Sequence, residues 1–94
     1  MTILKHIQDV KTMLGQDVIV LFSGKRFYEA YGDDALKVKS FCECITDSRI
    51  SEGKRLEMCA FEINKLDINL PKLVRAGYRV AISDIPKTQG KNSK

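Results

Sequence analysis

A single histidine, His6, limits the catalysis open to this chain of 94 residues. Nucleophilic triads need a histidine held beside the nucleophile and an orienting third group. One isolated His6 supplies no such constellation, so an enzyme is not expected. Cysteine is scarce as well. Cys42, Cys44 and Cys59 are odd in number and lack a framework spacing, which reads as reduced thiols in a cytoplasmic protein. Cys42-x-Cys44 has no CxxC partner and His6 is far away in sequence, so neither zinc nor any other metal is expected. No apolar run approaches the roughly twenty residues that span a bilayer. The start, MTILKHIQDV, has none of the basic, apolar and small-residue regions of a signal peptide, so no membrane contact is expected. No Gly-x-x-x-x-Gly-Lys-Ser/Thr loop occurs, which excludes that kind of ATP site, and no cofactor is implied. Repeats, internal linkers and low-complexity blocks are absent.

What is present suits one small globular domain. The apolar fraction of 44% argues against disorder, and the length supports a single modest core. The formal net charge of +4 leans mildly toward anionic partners. Part of that charge lies in KTQGKNSK, so the division expected is a domain over residues 1–86 and a polar, basic tail over 87–94.

The pattern alternates between elements. Ile3, Ile7, Val10 and Leu14 recur at helical spacing, with Thr2 as a cap and Gly15 just past the end. Val18 to Phe22 is an apolar, β-branched run that predicts a strand covered on both faces. Ser23-Gly24-Lys25-Arg26 predicts a turn, after which FYEAY returns antiparallel. A second helix opens near Asp33, a candidate cap, and Ala35, Val38, Cys42 and Ile45 form its inner face. Leu56, Met58 and Ala60 alternate with Glu57, Cys59 and Phe61, as in a strand. Leu66, Leu70, Leu73 and Val74 predict a third helix stopped by Gly77, with Pro71 tolerable only in its first turn. Arg79 to Ser83 predicts a last strand. The fold class expected is α/β (α+β): one mixed sheet, with those three strands central or nearly so, flanked by about three helices.

One stretch fits this scheme poorly. In KRFYEAYGDD, an extended backbone turns Phe27 and Glu29 to one face and Tyr28 to the other. A core face would reject the carboxylate and a solvent face would reject the ring, whereas a binding face uses both. The bland alternative is a packed hairpin ring, and Tyr28 reads that way, as part of the sheet's packing.

The ordered set VLF…FYEAYGDDA followed by EMCAFEINKLDINLPKLVRAGYRVAISD resembles the N-terminal mismatch-recognition domain of the MutS family of DNA mismatch repair proteins. The resemblance covers roughly residues 3 to 85, judged by the order and spacing of its motifs. It implies a mixed sheet flanked by helices. It also implies that Phe27 enters the minor groove and stacks on a mispaired base and that Glu29 hydrogen-bonds that base; from their charge, Lys25 and Arg26 are expected to offset the carboxylate's repulsion by contacting phosphates. A wedge of this kind kinks the duplex where pairing is already weak. The partner implied is double-stranded DNA, mismatched or distorted. Two departures stand out: the approach to Phe27 is more basic than the family's usual Met-Gly-Asp-like stretch, and MCAFEIN lacks a Gly and a Pro found there. With no ATPase, clamp or dimerisation part in it, the chain is not expected to run mismatch repair alone.

Blander readings apply to the other polar groups. Asp33 and Asp34 read as a pair favoured by a helix dipole. Asp47, Glu52 and Lys54 loosely evoke a metal-dependent nuclease, but DSRISEGK reads as a solvated loop and is rejected as an active site. Two function classes remain: a DNA-binding module, or a protein-interaction or regulatory module that keeps the scaffold without DNA recognition.

Overall fold

The computed structural model describes residues 3–51 and 53–84. The expected Thr2 cap, Glu52 and the tail from Lys87 lie outside them. The elements run α1 (Ile3–Leu14), β1 (Ile19–Ser23), β2 (Phe27–Tyr31), α2 (Asp33–Phe41), β3 (Ile45–Ser51), β4 (Lys54–Glu62), a 3₁₀ turn (Ile63–Lys65), α3 (Leu66–Arg75) and β5 (Val80–Asp84). One five-stranded sheet has the order β3-β4-β2-β1-β5. β1 and β5 are parallel and every other pair is antiparallel. This is the mixed α+β sheet that the alternating pattern implies.

β1 explains the apolar run. Ile19 and Leu21 face α2 and α3, in a cluster with Val38 and Leu73 of those helices and Phe61 of β4. Val18, Val20 and Phe22 face α1, where Ile3, Ile7 and Val10 pack against them. A strand between two helical layers has no polar face to offer, so alternation disappears from its sequence. Burial of each such side chain contributes about 1.5–3 kcal/mol. The sole histidine belongs to this packing: His6 Nε2 lies 2.7 Å from Ser83 Oγ and its ring sits 5.5 Å from that of Phe22.

The helix ends follow local chemistry. α3 stops where Gly77 takes φ 97°, with Gly77 N donating to the Val74 carbonyl and Tyr78 N to that of Leu73. Only glycine adopts that left-handed geometry cheaply, which makes Gly77 the stop. At α2 the expected capping role of Asp33 is not met. Gly32, at φ 64°, is the cap, and Asp33 is the first helical residue.

Four further expectations are corrected. Residues 45–51 form strand β3, so Ile45 leaves the inner face of α2 and DSRISEGK is a β-hairpin instead of a loop. The cause is Cys42, whose extended backbone (φ −128°, ψ 150°) ends the helix and frees the next residues to pair with β4. β5 is an edge strand, because its described pairing is to β1 alone. Leu14 is exposed; the last inward place on α1 goes to Lys11, for the electrostatic reason given below. Pro71 sits deep in α3, past the first turn. The carbonyl that its missing N–H leaves free belongs to Asp67, an exposed residue that water can reach.

Candidate nucleic-acid interface

The turn after β1 is short and well anchored. Gly24 N donates to the Phe27 carbonyl at 2.9 Å, and Ile63 N donates to the Arg26 carbonyl at 2.9 Å. The backbone is therefore held at both sides while the Lys25 and Arg26 side chains stand exposed. Phe27 opens β2 directly beyond them. It is partly exposed and belongs to neither buried cluster. It borders a shallow hollow of about 310 Å³ with Ile45, Ala60 and Phe61, and with Glu43, Glu62 and Lys65 around it.

Register fixes what shares the face of Phe27. In β2 the side chains of Phe27, Glu29 and Tyr31 point to the α1 side, and Phe27 lies opposite Glu62 and Glu29 opposite Ala60. Tyr28 points the other way and packs its ring, tilted, against that of Phe61 at 5.8 Å, the structural role expected of it. Glu29 is not free to wander. The Tyr31 hydroxyl donates to Glu29 Oε1 and itself accepts from Arg49 Nη1 at 2.7 Å. Burial, and then the Glu29 hydrogen bond, raise the Tyr31 hydroxyl well above the usual tyrosine range. It stays protonated and serves as a fixed donor. Residues 29, 31 and 49 thus form a relay of hydrogen bonds that holds Glu29 Oε1 in place.

Sequence reasoning named Lys25, Arg26, Phe27 and Glu29, and the fold brings these four to one end of the sheet. It missed Tyr31, although the two-residue spacing from Glu29 was a usable signal. Arg49 carried no signal, because its reach to Tyr31 exists only once β3 pairs with β4. Of the nuclease-like residues, Asp47 lies opposite Met58 and Lys54 opposite Ser51 at the hairpin's far end, so these two are kept apart, while Glu52 lies outside the described residues. Asp34 is structural. Its carboxylate, 1% exposed, accepts from Lys11 Nζ at 2.9 Å and from Val20 N at 3.1 Å. Asp33 is exposed at the helix start.

The sequence model of the family MutS domain I matches residues 3–94. The chain belongs to the MutS domain I family. Among similar curated proteins are the DNA mismatch repair protein MutS of Christiangramia forsetii, 41% identical over 68 residues, that of Bacteroides fragilis, 39% identical over 92, and that of Porphyromonas gingivalis, 46% identical over 70. These alignments cover 72%, 94% and 72% of this chain, but only 8%, 11% and 8% of the relatives. The chain spans about a tenth of the length of the curated relatives it matches.

Among the described residues no group of three or more His, Cys, Asp or Glu could hold a metal ion. No helix among them is long and apolar enough to cross a membrane. The thiols belong to the packing. Cys42 and Cys59 are buried, and burial, reinforced by the neighbouring Cys44 and Cys42, pushes the Cys59 thiol up to about 12.

Proposed function

We propose that this MutS domain I chain is a DNA-binding module for mispaired or distorted duplex, acting without catalysis. In this reading Phe27 is the ring that enters the minor groove and stacks on a base. Glu29, aimed by Tyr31 and Arg49, hydrogen-bonds that base, and Lys25 and Arg26 hold phosphates. The observation that carries it is the setting of Phe27: outside both buried clusters, beside an anchored cationic turn, on the face of an oriented carboxylate. Phosphate contacts position the module, while the carboxylate penalises duplex that offers it no donor.

Binding is weak in this reading. Kinking a duplex costs of order several kcal/mol, and one stacked ring returns about 1–3 kcal/mol. A protein-interaction role gains from one observation: Glu43 and Glu62 flank the hollow beside Phe27 and oppose phosphate there. Paired titrations of matched and mismatched duplexes at low salt decide between them. Phe27→Ala should abolish the preference for mismatched duplex with little change in thermal stability, whereas truncation of a core Phe costs about 3–5 kcal/mol. Glu29→Ala should narrow the preference by strengthening binding to matched duplex. A parent protein with no duplex preference, and a Phe27→Ala variant that melts far below it, would refute the DNA reading.

A further inference from the structure

Among the described residues no strand pairs with the outer edge of β3, and the chemistry of that edge is complementary to itself. Glu57 spends its carbonyl on Gly32 N, at 2.8 Å, on the β2 side of β4. Ser48, the register partner of Glu57, therefore directs its own N–H and carbonyl away from β4. Period two extends this to Thr46 and Ile50. In the free strand the Asp47 carboxylate accepts from Ser48 N at 2.8 Å, which agrees with an outward N–H. β3 carries neither proline nor lysine to blunt such an edge, and Ile45 and Ile50 are 62% and 69% exposed.

We infer that the β3 edge pairs antiparallel with the β3 edge of a second copy of this chain, about a twofold axis at Ser48. This register sets Ser48 against Ser48 and Thr46 against Ile50 of the second copy. These are the residues whose backbone groups face outward, so each pairing closes two N–H···O bonds. The non-bonded positions between them set Asp47 against Arg49 of the second copy, and Arg49 against its Asp47. Opposite charges at directly facing positions favour one register over slipped ones. Asp47 then gives up Ser48 N for a guanidinium. Arg49 can keep Nη1 on Tyr31, because four further N–H donors remain. Ile50 of one copy covers Thr46 of the other, and the two sheets join into one. A strand-edge contact alone lies at the small end of specific interfaces, so the dimer is weak and concentration-dependent. This inference is independent of any DNA role.

Sedimentation velocity on the full chain, from about 10 µM to about 1 mM, tests it. The mass should rise from 10.6 kDa toward twice that value. Ser48→Pro removes an N–H that the β3–β4 ladder does not use, so the fold should persist while association is lost. Asp47→Arg and Arg49→Asp should each weaken self-association about tenfold or more by facing like charges, and an equimolar mixture of the two should associate again. Circular dichroism of each variant establishes that it is folded. A parent chain that stays monomeric throughout, or a dimer that Ser48→Pro leaves unchanged, overturns the inference.

Discussion

Breaking the Lys11–Asp34 pair should expose how α1, β1 and α2 are fastened together. Asp34 Oδ1 accepts from Lys11 and Oδ2 from Val20 N, and the two side chains are 14% and 1% exposed for Lys11 and Asp34. Asp34→Ala leaves a buried Val20 N–H unpaired, which costs about 1–3 kcal/mol. It also strips the ammonium of its carboxylate. Loss of one partner from a buried pair costs about 3–5 kcal/mol in all. Lys11 keeps the Val18 carbonyl and lies near enough to water to turn outward, so about 3 kcal/mol is the expectation for Asp34→Ala. Lys11→Met should cost more, toward about 5 kcal/mol, because it strands the deeper charge. The double variant should cost little beyond the orphaned Val20 N–H, well short of the sum of the singles. Urea denaturation measures this directly. With a slope of roughly 1 kcal/mol per molar for so small a chain, the Asp34→Ala midpoint should fall by about 3 M. Single variants within about 1 kcal/mol of the parent, or a strictly additive double, would refute the reasoning.

Two other outcomes follow from charge and burial. The Cys59 thiol is raised in the folded state from its ordinary 9.0 to about 12, so above pH 9 the unfolded chain loses its proton first. Its stabilising contribution is complete below about pH 9 and falls away as pH rises toward about 12; urea midpoints across that window should decline, and Cys59→Ser should flatten the alkaline decline. For duplex binding, Lys25, Arg26 and Lys65 are exposed near Phe27, so about three phosphates can be neutralised. At about 0.9 per phosphate the log–log salt slope should be near −3, and a flat response in fluorescence titrations would remove the DNA reading.

Much of the fold could be read from local pattern. β1 declared itself by an unbroken apolar run rich in β-branched residues, β4 by the two faces its residues supply in turn, and α3 by its apolar spacing and the stop at Gly77. These signals are written over neighbouring residues, where backbone geometry and one dominant face leave little choice. The family resemblance was legible for a similar reason: Phe27-Tyr28-Glu29 and Asp33-Asp34-Ala35 are short motifs in fixed order.

Tertiary structure decided what depends on distant partners. β3 has Asp, Ser and Arg between its β-branched residues, so it read as a loop until the β4 edge supplied its hydrogen bonds. Whether Leu14 or Lys11 completed the inner face of α1 could not be settled by period, since a lysine turns inward only toward a buried carboxylate, and Asp34 lies 23 positions away. The relay from Arg49 through Tyr31 to Glu29 joins residues 18 and two positions apart, and it exists because β4 pairs with both β2 and β3. Local sequence determined which segments are helix or strand and which motif they carry. Long-range pairing determined which charges are buried together and which carboxylate is aimed, because those energies belong to contacts that no single segment contains.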